Sequence, residues 1–171
     1  RGTSVYLVDR VIPMLPTVLS NGICSLNAGE DRYSMTCVME IDRQGHVVKA
    51  DIGPAVIQVK RRCNYKEIKK ALLDDIVPDD LQPFMPILRD LQELAQILKQ
   101  MRLQRGAIDF DFPEYKIILD PDGTPLRLEK RERTIAEQIV EESMLIANET
   151  VASYLKNSKN PSVYRIHEVP E

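Results

Sequence analysis

The sequence predicts an α+β fold in which antiparallel hairpins pack with long helices, and three observations carry that expectation. Strand-like segments flank two turns that open on Asp and close on Gly, Asp42-Arg43-Gln44-Gly45 and Asp120-Pro121-Asp122-Gly123. Apolar residues recur every three or four positions along two long stretches, starting near Pro86 and near Thr134, which is the period of a helix with one buried face. No internal repeat or low-complexity stretch separates these patterns, so hairpins and helices are expected to share a core. With 171 residues, 43% of them hydrophobic, the chain is long enough for one domain spanning positions 1–171.

Taken in order, Ser34 to Ile41 alternates as a strand, and Val47 to Val59 returns as its partner. Pro54 is expected to break that partner, because proline cannot donate to a ladder, so the hairpin should be bulged. Asn64, followed three residues later by Glu67, supplies reciprocal caps for a short helix carrying Ile68, Ala71 and Leu72. The acidic loop Asp74 to Asp80 ends it. Phe84, Ile87, Leu88, Leu91, Leu94, Ala95, Leu98 and Met101 place a helix over Pro86 to Arg105, stopped by Gly106. Tyr115 to Leu119 and Thr124 to Glu129 form a second hairpin, with Gly123 accepting the positive φ of its turn. Thr134-Ile135-Ala136-Glu137 is a capping box opening the longest helix, which runs to Lys156 before Asn157, Ser158 and Asn160-Pro161. Val163 to Val169 reads as a last strand.

Charged residues make up 29% of the chain in both signs, and no apolar run approaches the roughly 18 residues of a membrane span. A soluble globular chain follows, with no membrane partner. Cys24, Cys37 and Cys63 are odd in number, lack metal-ligand spacing and sit among apolar neighbours in the sequence. A reducing, cytoplasmic setting is expected. The chain opens on Arg1 with no signal or transit peptide behind it, which points to a segment of a longer protein. The net charge of −3 carries no global nucleic-acid signal.

Local patterns say more. Within Lys60 to Lys70, the residues Lys60, Arg61, Arg62, Lys66, Lys69 and Lys70 surround Tyr65. Cations for phosphates beside a ring for bases suit single-stranded nucleic acid; a solvated helix face stapled by its tyrosine would look the same. In the longest helix, Ile135, Ala136, Ile139, Val140, Ala147, Val151 and Tyr154 share one side, and Leu145 and Ala152 lie nearly opposite. Between these arcs runs a narrow polar stripe of Glu137, Glu141 and Asn148, so Glu141 is expected to face a partly enclosed polar space. There it either meets a ligand or pairs with a structural arginine or a backbone N–H. Asp74, Asp75, Asp79 and Asp80 have the chemistry of a magnesium site, but their loop-like flanks read as a solvated acidic loop. His46 and His167 lie outside any metal-ligand spacing, and no GxSxG, GxGxxG or P-loop occurs.

Six blocks, RGTSVY, VIPMLPTVLSNGICSLN, Tyr65 in its basic run, RGAIDFDFPE, IVEESMLIAN and YRIHEVP, resemble the ribonuclease II/ribonuclease R family in order and spacing over nearly the whole chain. RGTSVY and YRIHEVP lean toward the ribonuclease R branch. The resemblance implies a partial RNB catalytic domain from a processive, magnesium-dependent 3′–5′ exoribonuclease, a monomer acting on single-stranded RNA. It implies that Tyr6 and Phe110 clamp stacked bases, with Phe112 as the substitute if the register slips by two. It implies that Tyr65 packs near the 3′-terminal nucleotide and that Glu141 reads the terminal ribose. The family's metal-holding aspartates precede an RGTSVY-like block, while its catalytic arginine motif follows the YRIH block and its RNA-binding barrels flank the domain. No catalytic or metal residue, and no bound cofactor, is therefore expected in this segment, which should be inactive alone and is open to self-association. The alternatives are a non-catalytic RNA- or partner-binding module using the Tyr65 patch and, ranked below both, an acid–base hydrolase built on Glu141 and His167.

Overall fold

The computed structural model describes residues 2–108, 112–158 and 161–164. Among them, six strands pair into three separate two-stranded antiparallel ribbons, and three α-helices pack mainly on one another, the last of them also against a ribbon. The first ribbon is short, β1 (Val5–Tyr6) against β2 (Val11–Ile12). A π-helical turn over Val18–Ile23 follows, broken at Gly22.

The long ribbon joins β3 (Asp31–Ile41) to β4 (Val47–Gln58). Its turn closes because Asp42 Oδ1 accepts from the backbone N–H of Gln44 at 2.9 Å and of His46 at 2.8 Å. These bonds, the His46 one foremost, hold the Asp42 carboxyl below the usual carboxylate range. Gly45 has φ +91, and a Cβ there would meet Met101 at 3.3 Å, so the turn needs glycine both for its conformation and for its approach to a helix. The expected bulge lies where the register shifts between Glu40 and Ile41. The expected break at Pro54 is corrected: β4 continues through it, with Pro54 opposite Met35. A two-stranded ribbon has two outer edges, and a proline directed to one of them forfeits no ladder bond.

Helix α1 (Tyr65–Leu73) starts at Asn64, whose side chain accepts from the Glu67 N–H at 3.0 Å. The reciprocal half of that cap is corrected, because Glu67 turns instead to the guanidinium of Arg61, its oxygens 3.0 and 2.5 Å from Arg61 Nη1 and Nη2. Helix α2 (Met85–Gln104) begins after a 3₁₀ turn at Gln82–Phe84 and stops before Gly106 at φ +93. Strands β5 (Glu114–Leu119) and β6 (Pro125–Arg131) form the third ribbon around Asp120, which accepts from Thr124 N at 2.7 Å. Helix α3 (Ile135–Asn157) opens on the complete capping box of Thr134 and Glu137. Pro161 to Tyr164 form no strand, and the rest of the expected last strand lies outside the described residues.

The core gathers Ile68 and Ala71 of α1, Leu81, Met85 of α2 and Ala136 of α3, with Leu72, Val77, Phe84 and Leu88 packed around them. Farther along, α2 packs on α3, burying Ala95 and Leu98 of one and Ile139 and Ile146 of the other. The inward line of α3 therefore runs Ala136, Ile139, Glu142, Ile146. The expected face is corrected accordingly: Val140 and Tyr154 are exposed, and a carboxylate sits in the core. Glu142 is 2% exposed and is forked by Arg102 of α2, Nη2 to Oε1 at 2.8 Å and Nε to Oε2 at 3.4 Å. A buried charge persists only when so partnered.

Candidate nucleic-acid interface

Residues from four elements meet around one open cavity of about 460 Å³. Tyr65 arrives on the first turn of α1, placed there by the Asn64 cap. Glu137, Val140, Glu141 and Met144 arrive on the outward side of α3, one and two turns in from its capping box. Phe112 and Glu114 enter from the approach to β5, and Arg131 and Arg133 from the end of β6 and the link to α3. A second cavity of about 730 Å³ shares Tyr65, Glu114, Arg131 and Glu137 and is rimmed by Lys66, Lys69, Lys116 and Lys130. The two adjoin through these shared residues.

Charge around the two cavities is closely paired. Arg133 Nη2 reaches Glu141 Oε2 at 2.5 Å, while Arg102 Nη2 stands 3.9 Å from Glu141 Oε1. Arg131 meets Glu114 at 3.3 Å. Burial pushes the Glu137 carboxyl up, but its hydrogen bonds with Thr134 outweigh this and leave it below the usual range. Lys69 bonds Glu132 at 2.8 Å, which raises the lysine and lowers the carboxylate. The arrangement offers exposed aromatic faces at Tyr65 and Phe112, a carboxylate acceptor at Glu141 and cations at the rim, a set suited to stacking a base and accepting from a sugar hydroxyl.

Of the residues singled out in the sequence, Tyr65 and Glu141 line this same cavity, and so does Phe112. Tyr6 lies elsewhere, on the first ribbon, with 78% of its surface exposed. Phe110 lies outside the described residues, as does His167. Of the two readings of Glu141, the structure shows the pairing with an arginine, Arg133, at the edge of an open cavity. The basic run divides: Arg61 turns inward, bonding Glu67 and then Cys63 and Asp80, which raises its pKa further above its already high value. Arg62, Lys66 and Lys70 are exposed. Cys63 is exposed beside Arg61 rather than among apolar groups, and Cys24 is exposed too. His46 serves its turn, with Nδ1 3.3 Å from Asp42. Arg133 and Arg131 carry no motif in the sequence; their only signal is the charged run Glu129 to Arg133 between a strand and a capping box.

In the acidic loop, Asp80 is tied to Arg61 and Asp75 stands 3.7 Å from Arg89. Among the described residues no group of three or more His, Cys, Asp or Glu side chains could hold a metal ion. They do not fit the magnesium that the resemblance implies. No helix among them is long and apolar enough to cross a membrane.

A family model described as RNB domain matches residues 1–171. Ribonuclease R of Thermotoga maritima is 48% identical over 172 residues, covering 100% of this chain and 24% of that protein. Ribonuclease R of Escherichia coli is 36% identical, covering 99% of this chain and 21% of its own. Among solved structures, Mycoplasma genitalium RNase R in complex with ribose methylated single-stranded RNA superposes with a TM-score of 0.86 at 33% identity, over 92% of this chain and 25% of that one. The chain spans about a quarter of the length of these relatives.

Proposed function

The chain belongs to the RNB-domain family, and from that premise we propose that it supplies RNA-gripping residues to a processive, magnesium-dependent 3′–5′ exoribonuclease acting on single-stranded RNA. The observation that carries this reading is the convergence of Tyr65, Phe112 and Glu141 on one open cavity. An aromatic face grips a base whatever its identity, which suits an enzyme that must pass any sequence. A carboxylate oxygen accepts from a ribose 2′-hydroxyl and has nothing to accept from deoxyribose at that position. Tyr65 packs against the 3′-terminal nucleotide and Glu141 reads its sugar. Tyr6, exposed on the first ribbon, stacks the bases that follow, opposite Phe110 or, if the register differs by two, Phe112.

The 171 residues by themselves do not cleave RNA, and their exposed apolar side chains favour self-association. The test incubates this segment, and a polypeptide of the relatives' length that carries it, with 5′-labelled single-stranded RNA and Mg²⁺. The long polypeptide should produce a ladder of products shortened from the 3′ end, while the segment produces none. Laddering by the segment alone would refute its inactivity. No cleavage by the long polypeptide would refute the nuclease reading and favour a binding module.

A further inference from the structure

We infer that Arg133 is a positioning residue that fixes which oxygen of Glu141 meets the terminal sugar, and so sets how sharply RNA is told from DNA. Arg133 lies on the link between β6 and α3, just before the Thr134 cap, and folds back along the helix to reach a carboxylate eight residues later. Its Nη2 occupies Glu141 Oε2 at 2.5 Å. The other oxygen, Oε1, faces Arg102 at 3.9 Å, beyond hydrogen-bond reach. Arg102 cannot easily close that gap, because its fork is engaged with Glu142 in the core. Glu141 is thus clamped on one oxygen and presents the other at ion-pair distance only, in a cavity that Tyr65 and Phe112 also line.

A clamped acceptor has already lost its rotamer freedom before ligand arrives, so a hydroxyl that donates to Oε1 does not bear that ordering cost. Released from Arg133, the Glu141 side chain would turn among rotamers, and its preference for a 2′-hydroxyl would blur. The inference rests on the ribose-reading role given to Glu141, and its test separates the two. In the polypeptide of full relative length, kcat/KM is measured on 5′-labelled oligonucleotides ending in a ribonucleotide or in a 2′-deoxynucleotide. A hydrogen bond to a charged acceptor makes the expected change in that ratio on the order of tenfold.

Arg133→Met should lower the ribo-to-deoxy ratio by that order, Arg133→Lys should leave an intermediate ratio, and the double variant with Glu141→Ala should be no worse than Glu141→Ala alone. An unchanged ratio in Glu141→Ala overturns the ribose-reading role and the inference with it. A lowered ratio there with an unchanged one in Arg133→Met overturns the inference alone, as does an equal loss of rate on both substrates. Should the methionine variant fail to fold, an unchanged ratio in Arg133→Lys has the same force.

Discussion

At the scale of single residues, Tyr65 is the side chain whose placement is best explained from below. Asn64 caps the helix on which it stands, and Arg61 ties the preceding segment to Glu67 and Asp80, so the backbone that carries the ring is fixed on both sides of it. Stacking of a base on such a ring contributes roughly 1–3 kcal/mol, enough to decide when a shortened RNA lets go but too little to decide whether a phosphodiester is cut. In a polypeptide of full relative length, Tyr65→Ala should therefore lengthen the shortest product, resolved on a denaturing gel, while cleavage of long RNA continues. A limit product of unchanged length would remove Tyr65 from the terminal-nucleotide site. Tyr65 and Glu141 were legible in the sequence because each stands in a local pattern, a basic run and a polar stripe. Arg133 was not, since its relation to Glu141 depends on how the link before α3 folds back.

At the scale of elements, what was legible is what short-range chemistry determines. The capping box of Thr134 and Glu137, the glycines at positive φ in both long hairpin turns and the stop at Gly106 all arise within four residues of chain. Pro54 misled because a sequence does not say whether a strand has one neighbour or two. The inward face of α3 misled for a longer-range reason: Glu142 is tolerated in the core only because Arg102 forks it from α2, forty residues earlier in the chain. That dependence has a measurable consequence. Arg102→Met leaves a carboxylate buried without its cation and should cost about 3–5 kcal/mol of stability, whereas Arg102→Met combined with Glu142→Leu should recover most of it. Denaturant melts of the segment, followed by circular dichroism, compare the two. Equal losses would mean that the cost comes from losing Arg102 itself and not from leaving Glu142 without its cation.

At the scale of the whole molecule, the three ribbons stay separate among the described residues, and no strand there joins them into a sheet with a covered face. Two-stranded ribbons are marginal without something packed against them. On the long ribbon, Tyr33 lies opposite Val56 and both are exposed, with Met35 two residues along on the same side. Near the N-terminus Val5, Leu7, Val8 and Val11 are exposed as well. Apolar surface gathered in this way gains more from contact with another copy than scattered surface residues do, and each fully covered side chain of this size is worth about 1.5–3 kcal/mol. The 171 residues alone should therefore sediment as concentration-dependent oligomers and bind a hydrophobic dye, more strongly in sulfate than in chloride, since excluded salts favour burial. Replacing Met35→Lys and Val56→Lys places charges on the exposed ribbon face without touching the α1–α2–α3 core. The doubly substituted chain should shift toward monomer with its helical circular dichroism unchanged. Sedimentation of the unsubstituted chain as a monomer at every concentration would show that these faces are too small or too dispersed to associate.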